Sequence, residues 1–145
     1  MKRHVFLFWI SIVLQLTFSL SSALSQGLFG EEEISSAKGP TLERAVLCKE
    51  LTGCIPKNKA VIFSISYGKV ICLTEFDRVP EYTTVLHKWF RKDILVTSIK
   101  LALEPPRWST FSSIELRSAD KGPWRVDVVD ETGKVLAALR FSVTD

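Results

Sequence analysis

From Arg44 to the C-terminus, apolar and polar side chains alternate in short blocks. A period of two is the pattern of a strand that turns one face to a core and the other to water. The last stretch is the clearest. Trp124, Val126 and Val128 alternate with Arg125 and Asp127, and Asp130-Glu131-Thr132-Gly133 offers a turn in which glycine suits a left-handed position. Val135, Ala137, Leu139, Phe141 and Val143 then alternate with Leu136, Ala138, Arg140 and Ser142, which predicts a β-hairpin. Earlier blocks run Ala45–Leu51, Ala60–Ser66, Val70–Phe76, Thr83–Phe90, Asp93–Leu103 and Arg107–Leu116. Val61, Phe63 and Ile65 share one face, Tyr67-Gly68-Lys69 turns the chain, and Val70–Phe76 is apolar on both faces, as a central strand is. Glu104-Pro105-Pro106 interrupts, because prolines cannot join a central ladder. No stretch after residue 43 holds a helical period, apart from a short helix or turn at Ser118–Lys121. Blocks spaced by roughly 8–12 residues predict an immunoglobulin-like antiparallel β-sandwich of about seven to eight strands over residues 44–145.

Residues 1–25 have the three parts of a secretory signal: basic Lys2-Arg3-His4, an apolar run from Val5 to Leu20, and small residues with Ala23 and Ser25 at the peptidase positions. Cleavage is expected after Ser25, giving a periplasmic or secreted domain. The alternative is an uncleaved N-terminal anchor, the one expected membrane contact, although the apolar run falls short of the roughly 20 residues that span a bilayer comfortably. No cysteine near the cut indicates a lipid anchor. Residues 26–43, with Glu31-Glu32-Glu33 and Ser35-Ser36, read as a flexible linker, the acidic triplet a solvated spacer. Lys and Arg total 19 against 16 acidic residues, and two of the 19 are Lys2 and Arg3. The remainder is close to neutral, which argues against nucleic acid as a partner.

Candidate chemistry is sparse. Cys48, Cys54 and Cys72 lie beyond the signal, so three pairings are open in an oxidising compartment, each leaving one thiol. Cys48–Cys54 is favoured by proximity across Gly53, and no Cys-x-x-Cys spacing marks a redox pair. His87 is the sole histidine outside the signal and reads as a packed or hydrogen-bonded strand residue; no spacing supports a metal site, and no cofactor is expected. Ser109, Ser112 and Ser113 sit in a strand-like run without a nucleophile elbow. The acidic residues fall mainly in turns. Trp89 and Trp124 are expected in the core. Trp108, after Pro105-Pro106-Arg107, is the tryptophan most suited to an exposed edge, where an aromatic face and a guanidinium can hold a sugar or an anion. The candidate binding residues are therefore Arg107 and Trp108, with Arg91 next. The expected function is a non-enzymatic exported module binding a protein or glycan of the cell envelope. Its alternatives are a small hydrolase using dispersed carboxylates and an assembly protein offering an edge strand.

Three segments carry a resemblance: Leu86-His87-Lys88-Trp89-Phe90, Pro106-Arg107-Trp108-Ser109-Thr110-Phe111-Ser112-Ser113, and Gly122-Pro123-Trp124-Arg125-Val126-Asp127-Val128 with Gly133-Lys134-Val135-Leu136. Together they resemble the bacterial domain-of-unknown-function family numbered 2914, from about Ala45 to Val143. The resemblance implies an exported or membrane-tethered β domain with no assigned activity. It also favours Cys48–Cys72 as the disulfide; Cys54 is not part of the family pattern.

Overall fold

The computed structural model describes residues 39–145; the expected signal segment, and the linker as far as residue 38, lie outside the described residues. Nine strands follow: β1 (Thr41–Thr52), β2 (Ile55–Lys59), β3 (Ile62–Ser64), β4 (Lys69–Arg78), β5 (Thr83–Arg91), β6 (Ile94–Leu103), β7 (Trp108–Glu115), β8 (Gly122–Asp130) and β9 (Val135–Thr144). Short 3-10 turns occupy Ile65–Tyr67 and Ser118–Asp120. The strands form two sheets, β2-β1-β4-β7 and β3-β9-β8-β5-β6, called sheet A and sheet B below. All pairs are antiparallel except β3–β9, which is parallel.

The order β1-β4-β7 facing β9-β8-β5-β6 is the A-B-E and G-F-C-C′ arrangement of an immunoglobulin-like sandwich. The buried tryptophan characteristic of strand C is present as Trp89, which is fully buried on β5. Its neighbourhood is aromatic: the Phe141 ring meets Trp89 edge-on at 6.0 Å, meets Phe63 edge-on at 5.7 Å and stacks on Trp124 at 6.0 Å. Such pairs add roughly 0.5–1.5 kcal/mol each to the burial of the rings.

The core between the sheets comes in two apolar halves. One holds Leu47, Cys72, Trp89, Trp124, Val126 and Phe141. The other holds Phe76, Val79, Val85, Leu103 and Val128, with Trp108 packed against it. Between them lies a bar of polar side chains: Thr74 on β4, His87 on β5 and Ser112 on β7 are all buried.

Several expectations shift. The block Ala60–Ser66 contributes only Ile62–Ser64 as strand, and the face shared by Val61, Phe63 and Ile65 does not form: Phe63 is buried while Val61 is exposed. The ninth strand is β2, whose Pro56-Lys57-Asn58-Lys59 has no alternation; it is a strand because Thr52 to Cys48 of β1 pair with Ile55 to Lys59. The chain enters β1 at Thr41, not Arg44, because Thr41 and Leu42 pair with Arg78 and Phe76.

The Cys48–Cys72 bridge is absent, and all three thiols are free. The register explains it. Cys48 lies opposite Ile71 and Leu47 opposite Cys72, and residues opposite one another share a face while neighbours alternate. Cys72 therefore points into the core with Leu47, and Cys48 points to the outer face of sheet A. Burial pushes the Cys72 thiol up to about 12.

Candidate functional site

At its N-terminal end β7 sets Trp108 opposite Phe76 and Ser109 opposite Glu75. These four residues line a groove of about 670 Å³ together with Glu43, Cys54 and Arg107. Trp108 is half-buried, its inner side against the Phe76–Val79–Val85 cluster. Arg107 is exposed and pairs with Asp77, and Arg44 beside the groove pairs with Glu75. The hydrogen bond from Arg44 holds the Glu75 carboxyl below the usual carboxylate range, so the groove keeps an anion there near neutral pH. An aromatic face, a guanidinium and carboxylates around an open groove make a surface that can stack and hydrogen-bond a polyhydroxylated or peptidic ligand.

Cys54 forms one wall of the groove. It lies at the turn between β1 and β2. An extended chain rises about 3.3 Å per residue, which would put Cys54 on the order of 35 Å from Glu43. Both line the same groove, so the β1–β2 hairpin folds back over the outer face of sheet A. The fold-back lies beyond Cys48, the last residue of β1 to pair with β4, and Asn58, between the paired residues Lys57 and Lys59, adopts a left-handed φ of 53°. Cys48, Ile71 and Leu73 on that outer face are buried despite pointing away from the inter-sheet core. No periodicity in Thr52-Gly53-Cys54-Ile55 foretells this bend.

Arg91 does not join Arg107 and Trp108. It lies at the C-terminal end of β5, opposite Trp124, whereas Arg107 and Trp108 sit at the Phe76–Val85 end of the sandwich. Its guanidinium donates to the Lys121 carbonyl at 3.3 Å, and its buried Nε has no partner among the described residues. Arg91 therefore braces the turn before β8.

The polar bar has one consistent hydrogen-bond order. Thr74 Oγ1 donates to the Thr110 carbonyl at 3.3 Å, so it must accept from His87 Nε2–H at 3.2 Å. His87 Nδ1 is then an acceptor, and Ser112 Oγ–H donates to it at 2.7 Å. Ser112 in turn accepts from Trp89 Nε1–H at 3.1 Å. The relay runs Trp89 → Ser112 → His87 → Thr74 → Thr110 and ties β5 of sheet B to β4 and β7 of sheet A. Burial drives the His87 pKa down to about 4, which keeps the ring neutral. A solvent-excluded histidine with both nitrogens engaged works as a structural clamp. The sequence does hold a signal for it: Thr74, His87 and Ser112 each take an inward slot two residues from an inward apolar residue, Cys72, Val85 and Ile114 respectively.

The fold and groove define a small immunoglobulin-like sandwich with an edge-lying aromatic groove. Residues 82–143 match the family described as Protein of unknown function (DUF2914). No curated protein is recognisably similar to the chain. The matched stretch covers β5 to β9, including His87, Trp89, Trp108, Ser112 and Trp124; Thr74 and all three cysteines fall before it.

Proposed function

We propose that this chain is a non-enzymatic, exported β-sandwich module that binds a glycan or protein partner of the cell envelope through the Arg107–Trp108 groove. The observation that carries this reading is the half-buried Trp108 at the wall of a 670 Å³ groove beside an exposed arginine. The volume falls within the roughly 300–1,000 Å³ of small-ligand clefts. The secretory pattern of residues 1–25 supports an envelope location.

A hydrolase is the second reading, because Glu43 and Glu75 share this groove. Glu75 is a poor general acid: Arg44 holds it ionised, whereas glycoside hydrolysis needs one carboxyl kept protonated.

One titration separates the two. Soluble peptidoglycan fragments added to the protein are expected to change tryptophan fluorescence. Arg107→Ala and Trp108→Ala are each expected to weaken binding about tenfold or more, with an unchanged far-ultraviolet circular dichroism spectrum. Equal binding by wild type and both variants would remove the groove from the function. Fragment cleavage, seen by mass spectrometry and lost in Glu43→Gln or Glu75→Gln, would replace the binding module with the hydrolase.

A further inference from the structure

A second groove lies on the other flank of the sandwich, where the two sheets present open edges to each other. On that side β1 pairs with β2 only from Cys48 onward, and β9 pairs with β3 only from Ser142 onward. The edges of Ala45–Leu47 and of Leu139–Arg140 therefore have no strand partner among the described residues. The Leu47 carbonyl is the exception, accepting from Ala60 N–H at 3.2 Å, and Ser142 N–H donates to the Val61 carbonyl at 2.9 Å, which closes one end. The cleft between these edges measures about 550 Å³, with Leu47, Ala60 and Leu139 lining it and Lys59 and Arg140 on its wall. Neither cation is in an ion pair among the described residues, and no acidic side chain lines the cleft.

Three requirements fall on an occupant. The open ladder groups need backbone donors and acceptors, which an extended peptide supplies by adding a strand. The apolar lining accepts every second side chain of such a strand. Arg140 calls for negative charge on the others, and the Lys59 ammonium, which also draws the Glu75 carboxyl down, adds to the positive field at the rim. We infer that this cleft is a docking slot for an extended acidic peptide segment of a partner protein, in which apolar and carboxylate side chains alternate. The slot shares no lining residue with the Arg107–Trp108 groove.

The test uses the full chain and an acetylated, amidated peptide of sequence Glu-Val-Glu-Val-Glu-Val. The peptide is expected to shift amide resonances of Ala45–Leu47 and Leu139–Arg140 and to slow hydrogen exchange along the β9 edge. The double variant Lys59→Glu, Arg140→Glu, both changes on exposed side chains, is expected to bind about tenfold more weakly or worse, equivalent to roughly 1.4 kcal/mol. Trp108→Ala is expected to bind the peptide normally, so failure of the groove reading leaves this one standing. Absence of any shift at millimolar peptide, equal binding of Lys-Val-Lys-Val-Lys-Val, or unchanged affinity in the double variant would overturn the inference. So would laurate shifting the same amides when the peptide shifts none, which would assign the cleft to an anionic amphiphile.

Discussion

Trp89→Ala is expected to lower the unfolding free energy by about 4 kcal/mol, within the range for emptying a buried aromatic site, and to open hydrogen exchange in both sheets. Trp89 is fully buried and packs in one cluster with Leu47 and Cys72 of sheet A and Val126 and Phe141 of sheet B. Alanine there removes the edge contact with Phe141 and the indole donor to Ser112. Trp89→Phe separates the parts: it keeps most of the apolar volume and loses the hydrogen bond to Ser112. Its expected cost is about 1–3 kcal/mol, the penalty for a buried polar group that loses a partner. Chemical denaturation of the two variants measures both. A loss below about 1 kcal/mol for Trp89→Ala would show that the two sheets do not depend on this ring.

Acid is expected to weaken the fold through His87. The folded-state pKa is about 4 and the ordinary value is 6.5. Between these values the unfolded chain binds a proton that the folded chain refuses, so stability rises with pH across this window. The contribution is fully present above pH 6.5 and is lost as pH falls to about 4, a total of about 3 kcal/mol at roughly 1.4 kcal/mol per pKa unit. Geometry gives the same sign. A protonated ring would donate from both nitrogens, and Ser112, already accepting from Trp89, would have to turn its own proton away from His87. No charged side chain contributes to the His87 shift. Cys72, the nearest inward titratable group on β4, stays a neutral thiol. Denaturation midpoints at pH 7, 5.5 and 4.5 should fall in order, and His87→Leu should flatten that slope while lowering stability at pH 7. A wild type with equal stability at pH 7 and 4.5 would contradict the relay. Glu75 and Asp130, both held below their ordinary values, contribute to acid loss at lower pH.

Where local chemistry agrees with the fold, the alternation was enough. The β8–β9 hairpin was legible because its turn is self-contained: one Asp130 oxygen accepts from Thr132 N–H, the Thr132 hydroxyl and Lys134 N–H, and Gly133 takes the left-handed φ of 91°. Trp89 and Trp124 were legible as core for the same reason, since each sits among alternating apolar neighbours. The β1–β2 hairpin was not. Its sequence is wet on both faces, and its path is set by the groove it lines and by the apolar residues under it. The family resemblance favoured a Cys48–Cys72 bridge that a single-residue offset in register forbids. Arg107 and Trp108 were found together because they are adjacent in the chain, but Arg91 was grouped with them by composition, and composition does not know which end of a strand a residue occupies.

The placement of the thiols has a practical consequence. Cys54 faces solvent while Cys48 and Cys72 are shut away on opposite faces of one sheet. A brief pulse of alkylating reagent therefore marks the intact molecule at one sulfur and an opened one at three. The adduct mass becomes an internal gauge of unfolding, and it needs no engineered label.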